Sequence, residues 1–264
     1  MDSINIFDFY FNQAIVIGVS TLRIAVAFML VPLFSQELIP ATIRNAMFIS
    51  LAMIVVLVQP PLDLESLSLQ GWLSLFSKEV FIGIAIGVFF GIHLWAFEAA
   101  GQVIDIQIGA STAQIFDPIS GHQTSLIGEF LGRLANYIFM AVGGLMLLVG
   151  ATLETYAIWP IGEAMPSLAA ASVILFEEEF SYFFKLILLI SAPVLVVVFL
   201  IDVVMGMINR YAQQFNVFFL SMSLKMFAAI FVMSLSLIFI VELIINELIR
   251  HNDELLNILN RLLS

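Results

Sequence analysis

Gly101–Ser125 reads GQVIDIQIGASTAQIFDPISGHQTS, a run of small, amide and hydroxyl residues set between long apolar stretches. It carries Asp105, Asp117, Pro118 and His122. In hydrocarbon each unsatisfied backbone group costs several kcal/mol. A segment this polar is therefore expected to lie in water, inside protein, or along a water-lined path. Which of these holds decides what the flanking helices are for.

The surrounding chain is an extreme case. Of 264 residues 62% are hydrophobic and 11% charged, and the mean hydropathy is +1.10. Ordinary globular domains carry about 45–50% apolar and about 25% charged residues. This is the composition of an integral membrane protein. The formal net charge of −11 leaves no basic footprint for nucleic acid. Cysteine is absent, which excludes disulfides, thiol catalysis and Cys-ligated metals. His93, His122 and His251 are too far apart in sequence to read as a metal site, so no metal and no cofactor is expected. The opening MDSINIFDFYFNQ has no Lys or Arg and so lacks the basic region of a cleavable signal; the first apolar run reads as a retained membrane segment.

About six apolar runs can be read, each near or above the roughly 20 residues that span a bilayer. They are about Phe11–Phe34, Ala41–Val58, Trp72–Ala100, Leu126–Tyr156, Tyr182–Ile208 and Val217–Leu248. Pro32, Pro60-Pro61 and Trp159-Pro160-Ile161-Gly162 punctuate them, since proline cannot continue a helix and restrains the residue before it. Gly83, Gly87 and Gly91 form a small-residue ridge at a spacing of four. Such a ridge lets helices approach closely, either within the chain or against a partner subunit. The acidic run Glu177–Glu179 reads as part of a solvated link, and Asn209–Asn216 (NRYAQQFN) as the turn of a helical hairpin. The tail 246–264 has apolar residues at helical spacing and is expected to lie on the membrane or on a partner.

Many charges fall in or at the ends of these runs: Arg23, Arg44, Lys78, Glu79, His93, Glu98, Glu129, Arg133, Asp202, Lys225 and Glu242. Each costs about 2.5–3.5 kcal/mol at a bilayer centre, so the helices should face protein or water over much of their surface. Glu129 and Arg133 have the spacing and order of a same-face pair. Asp202 has no basic neighbour within a turn, and its partner is expected to be Arg23 or Lys225. Loop charges give contradictory topologies: the uncharged N-terminus points outside, while an even number of spans would put Arg250 and Arg261 there too. Either one run does not cross, or the protein does not sit alone in lipid. Ser125 and Ser221 lack an accompanying base, and neither HExxH nor GxSxG occurs, so enzymatic chemistry is not indicated.

Three motifs now carry a resemblance. GxxIDxQxGAS followed by Asp117-Pro118, then Gly121 and Thr124-Ser125, resembles the most characteristic stretch of the SctT/FliR family of type III secretion export-apparatus proteins. NRYAQQFNVFFLSMSLKM (Asn209–Met226) is similar to the family's second motif, with Asn209, Arg210 and Lys225 matching and Gln213 standing where the family often has proline. The third is LVPLF with Pro40, Arg44 and Asn45. NVFFLSMSLK looks more like virulence injectisome members than flagellar ones.

The resemblance implies an all-α membrane protein of about six helices arranged as hairpins, one subunit of a helical hetero-oligomeric pore in the bacterial inner membrane. It implies a single export-gate domain over residues 1–264 with no catalysis of its own. The implied partners are SctR-type and SctS-type (FliP- and FliQ-like) subunits, the SctU (FlhB-like) switch protein, inner rod or needle subunits, and unfolded export substrates. The family's subunit contributes a loop that plugs the closed pore. Here that loop maps to segment 105–123, with Gly109, Ala110, Ser111, Ile115, Phe116, Asp117, Pro118 and Gly121 as plug residues. Arg23, Arg44, Glu129, Arg133, Asp202, Asn209, Arg210 and Lys225 are the candidate buried-charge and assembly residues. The competing expectations are a stand-alone secondary transporter that relays ions through the intramembrane charges, and a membrane-embedded enzyme.

Overall fold

The computed structural model describes residues 3–35, 38–59, 68–110, 125–163, 170–212 and 216–263. Among them all regular structure is helical. Seven α-helices occur: α1 Ser3–Leu30, α2 Ala41–Val58, α3 Leu69–Ile108, α4 Leu126–Ala141, α5 Gly144–Ile158, α6 Ala170–Tyr211 and α7 Val217–Leu263. A 3-10 turn, Pro32–Phe34, follows α1. The protein is an all-α membrane protein. Among the described residues four helices are long and apolar enough to cross a membrane, or five if the α4–α5 pair is one broken span.

Every apolar run read from the sequence forms helix, but three details differ. First, α2 is a short helix that ends at Val58 with Gln59 as its cap, so the spanning helices number fewer than the runs. Second, the fourth run breaks: α4 and α5 meet at about 70° where Gly143 takes φ +83°, a left-handed conformation that a β-carbon disfavours. Third, α6 starts at Ala170 and includes Glu177–Glu179 as helix rather than link. Glutamate is a good helix former, and Phe176, Phe180, Phe183 and Phe184 recur around it at helical spacing.

The chain divides into two compact units, Met1–Ile92 with Gly143–Phe176 and His251–Ser264, and His93–Val142 with Glu177–Arg250. In the first, α1 and α2 close on a trio of rings. Phe28 lies 4.9 Å from Phe34 and 5.8 Å from Phe48, centroid to centroid. The glycine ridge of α3 lies on α1. A β-carbon on Gly83 would come within 2.8 Å of the Arg23 carbonyl oxygen, and one on Gly87 within 2.7 Å of the Ala27 carbonyl oxygen. Gly91, one turn on, is buried.

In the second unit the last turns of α3 pack on α4. A β-carbon on Gly101 would come within 2.5 Å of Gly128 Cα, so two backbones touch there with nothing between them. Gly132 sits against the Glu98 side chain one turn further on. Most of α6 and of α7, from Glu177 to Arg250, makes up the rest of this unit, with only 22% of their apolar windows covered. Phe199, Val203, Phe227, Phe231 and Ile238 are among the large side chains left exposed.

These contacts make a simple expectation. Gly87→Val should press on the Ala27 carbonyl, which belongs to backbone and cannot yield, at a cost of about 1–3 kcal/mol. Gly18, with open space around it, should accept alanine with no loss, since alanine favours helix by about 1 kcal/mol. Thermal unfolding midpoints in detergent check both; an unchanged midpoint for Gly87→Val would remove the close-packing assignment.

Candidate functional site

The central segment starts as helix. α3 continues through Ile108, past the point where the sequence turns polar, because Ala100, Ile104 and Ile108 keep one face buried at a four-residue spacing. Gln102 and Gln107 point outward from that face. The helix then stops at Gly109, whose φ is +84° and whose N–H bonds the Ile106 carbonyl. Ala110 is half-buried. Ser111, Ile115, Phe116, Asp117, Pro118 and Gly121 lie outside the described residues.

Asp105 points at the start of α4. Its carboxylate Oδ2 accepts from the Ile127 N–H at 2.9 Å, the Gly128 N–H at 3.3 Å and the Ser125 hydroxyl. Ser125 is the N-cap of α4, and its Oγ accepts from the Gly128 N–H at 3.0 Å. A carboxylate at a helix N-terminus meets both the orphan N–H groups and the positive end of the helix dipole. Asp105 thus fastens the residues on either side of the polar segment to each other.

The other end is held from α7. The Lys225 ammonium lies 3.0 Å from Asp202 Oδ1 and donates to the Gln107 carbonyl at 3.3 Å. Ser221 Oγ also reaches Asp202, at 3.4 Å. Of the two partners expected for Asp202, the structure places Lys225 beside it. A cavity of about 470 Å3 opens here, lined among others by Asp202, Asn209, Asn216, Ser221 and Lys225. Asn209 and Arg210 therefore belong to the last turn of α6 rather than to a turn, and Arg210 is exposed.

Arg23 has a different partner. It is fully buried, and its guanidinium forms a two-pronged pair with Glu79, Nε to Oε2 at 2.7 Å and Nη2 to Oε1 at 2.9 Å. Nη1 donates to Thr155 Oγ1 and Nη2 to the Trp159 carbonyl. The Tyr156 ring covers its face at 3.9 Å, and the Tyr156 hydroxyl donates to the Ser20 carbonyl. Lys78 completes the cluster by donating to the carbonyls of Pro160, Ile161 and Glu163 at 2.7, 2.7 and 3.1 Å. Gln59 accepts from the Ile161 N–H and donates to the Tyr156 carbonyl. Side chains from α1, α3 and the end of α2 thus satisfy the carbonyls that α5 and the turn after it would leave orphaned.

Sequence reading singled out Arg23 but not the clasp. The available signal was Lys78-Glu79 standing together in an apolar helix, upstream of a Trp-Pro turn in need of donors. Arg44 is buried and donates to the Phe34 carbonyl at 3.0 Å, which holds the 3-10 turn to the start of α2. Glu129 and Arg133 pair on the outer face of α4. His93 is buried with its Nε2 4.0 Å from Glu179.

A family model described as "Bacterial export proteins, family 1" matches residues 14–250. That span takes in the glycine ridge, both anchors of the central segment and the Asp202–Lys225 pair. The chain belongs to this family, the SctT/FliR export proteins. Among its relatives is "Yop proteins translocation protein T" of Yersinia pestis, 31% identical over 207 residues that cover 77% of this chain and 78% of that protein. "Flagellar biosynthetic protein FliR" of Bacillus subtilis is 30% identical over 234 residues, 83% of this chain and 86% of that one. "Secretion system apparatus protein SsaT" of Salmonella typhimurium is 30% identical over 222 residues, 80% and 82% of the two chains. Within this SctT/FliR chain, Asp105 caps the start of α4 and Lys225 is the ion-pair partner of Asp202.

The clasp makes a prediction. Glu79→Leu leaves the Arg23 guanidinium buried without its carboxylate, at a cost of about 3–5 kcal/mol. The double variant Arg23→Met with Glu79→Leu should recover most of that loss. Steady-state protein level and unfolding midpoint give the comparison; a Glu79→Leu variant as stable as the parent would show that the pair does not hold the fold.

Proposed function

We propose that this chain is a non-catalytic subunit of a type III secretion export gate in the bacterial inner membrane. With SctR-type and SctS-type subunits it forms the channel through which unfolded substrates cross, and segment 105–123 plugs that channel when closed. SctU-type protein at one end and rod or needle subunits at the other complete the set of partners. The residues committed to the plug are Gly109, Ala110, Ser111, Ile115, Phe116, Asp117, Pro118 and Gly121. As a domain, the whole chain 1–264 acts as one gate subunit.

Family membership supports the export role, and helix length carries the hetero-oligomer. Residues 180–208 of α6 and 217–245 of α7 are each interrupted by only two charges. At 1.5 Å per residue each is about 44 Å long. A hydrocarbon core is about 30 Å thick. To hide such a length by tilting would need about 47°, beyond the roughly 0–40° that membrane helices adopt. The surplus apolar surface, largely uncovered in this chain, calls for protein neighbours. A stand-alone transporter would have no use for it. Intramembrane charges that such a transporter would need are spent on neighbours here: Arg23 on Glu79 and Lys225 on Asp202.

Two experiments test this reading. Co-expression with SctR-type and SctS-type subunits, followed by mass measurement of the intact complex, should give a hetero-oligomer; a stable monomer or homo-oligomer that transports a solute alone would overturn it. Replacing Ile115 and Phe116 with glycine should let small ions through assembled complexes of normal composition, and unchanged permeability would remove the plug. Separately, Asp202→Leu should reduce the number of complexes formed more than the secretion per complex. Normal assembly with no secretion would instead favour an ion-relay role.

A further inference from the structure

Residues 109 and 125 end two helices that are held by charges of opposite sign. The Lys225 ammonium sits at the C-terminus of α3, on the Gln107 carbonyl, one of the acceptors a helix end leaves unpaired. The Asp105 carboxylate sits at the N-terminus of α4, on the Ile127 and Gly128 N–H groups. Each charge has the sign the local helix dipole prefers. Neither charge is spent on the other. Lys225 is neutralised by Asp202, which lies on α6, and Asp105 is satisfied by three donors of α4 and its cap. The backbone contact of Gly101 with Gly128 brings α3 and α4 together beside these anchors, leaving no room for a side chain to intervene.

We propose that Asp105 and Lys225 are positioning residues: two dipole-matched anchors that fix the separation and direction of the helix ends flanking the central segment, with Asp202 orienting Lys225 for the task. This rests on the reading of that segment as the channel's barrier. It adds to it a division of labour, in which Asp105 at the segment's helical start and Lys225 outside the segment set where the rest of the barrier stands. The Asp202–Lys225 pair is partly open to solvent, at 37% and 15% of the side-chain surfaces, and lines the polar cavity between α6 and α7. An anchor there is open to competition, whereas the fully buried Arg23–Glu79 pair is not.

The absence of cysteine allows clean labelling. Gln107 and Leu126 are exposed, one on each helix end, and take Gln107→Cys and Leu126→Cys spin labels. Distances are measured between them in the complex assembled with its partner subunits. The parent should give one narrow distribution. Asp105→Ala and Lys225→Met should each broaden or shift it, and Lys225→Arg, which keeps charge and donors, should restore it. A distribution unchanged in both loss variants would overturn the proposal. Ion conductance of the same complexes in liposomes supplies the second readout. Loss variants should leak several-fold above the parent, with no further rise when Ile115→Gly and Phe116→Gly are added. A leak from the glycine variants but none from the anchor variants overturns the positioning role and leaves the barrier standing. If the glycine variants themselves do not leak, the barrier reading fails, and a broadened distance distribution still establishes the anchors as fixing the helix ends.

Discussion

A polar group taken out of water must find its partner inside the protein, and that constraint accounts for the hydrogen bonds of the buried hydroxyls and of the cations at helix ends. The simplest solution is local. Hydroxyls of Ser20, Thr21, Thr152, Ser191 and Ser234 each donate to a carbonyl four residues earlier in their own helix. Such bonds satisfy the hydroxyl without recruiting a neighbour. Helix ends are harder, because four carbonyls or four N–H groups are left over at once. Here long side chains from other helices do the work: Arg23, Lys78 and Gln59 at the end of α5, Arg44 at the 3-10 turn, Asp105 at the start of α4. Four of the cations that look costly in an apolar sequence, Arg23, Arg44, Lys78 and Lys225, bond carbonyls at helix ends, while Glu79 and Asp202 pair with two of them and Glu129 pairs with Arg133.

That distribution explains what could be read from the sequence and what could not. Helices could be read, because hydrophobic runs and prolines mark them directly. The pairing of Lys225 with Asp202 was within reach, since Asp202 had few cations to choose from. Arg23 was also a candidate for Asp202, and only the fold reveals that Glu79 is nearer. The α3 extension to Ile108 was hidden by composition: Gln102, Asp105 and Gln107 look like loop, while the buried stripe of Ala100, Ile104 and Ile108 beneath them is thin. The Gly101–Gly128 contact had no local signature, because a glycine inside a polar motif reads as flexibility when it is in fact a contact between backbones. Asp105 was legible as a charge and illegible as a cap, since its partners lie more than twenty residues away.

The contradictory loop charges have a physical origin as well. The positive-inside rule sorts helices inserted one by one into lipid. It assumes that each apolar run is one crossing. In this chain α2 is short, α4 and α5 meet at a sharp bend, and α6 and α7 run well past the thickness of a bilayer. Apolar length and crossing number are therefore uncoupled. With crossings and apolar runs uncoupled, loop charges no longer report the topology, so the contradiction follows from the helix lengths themselves.

The two main ion pairs differ in a way that matters for assembly. Arg23–Glu79 is completely enclosed, stacked under Tyr156 and tied to a helix end by further bonds. Breaking it would leave a charge in a low-dielectric interior, so it is permanent on any timescale short of unfolding. Asp202–Lys225 is partly uncovered and has a cavity beside it. The closer a pair comes to full exposure the less it is worth, down to about 0–1 kcal/mol at the surface, so this pair holds its geometry less firmly than the enclosed one. The chain thus holds one ion pair that fixes its interior and another that stays partly uncovered beside a polar cavity.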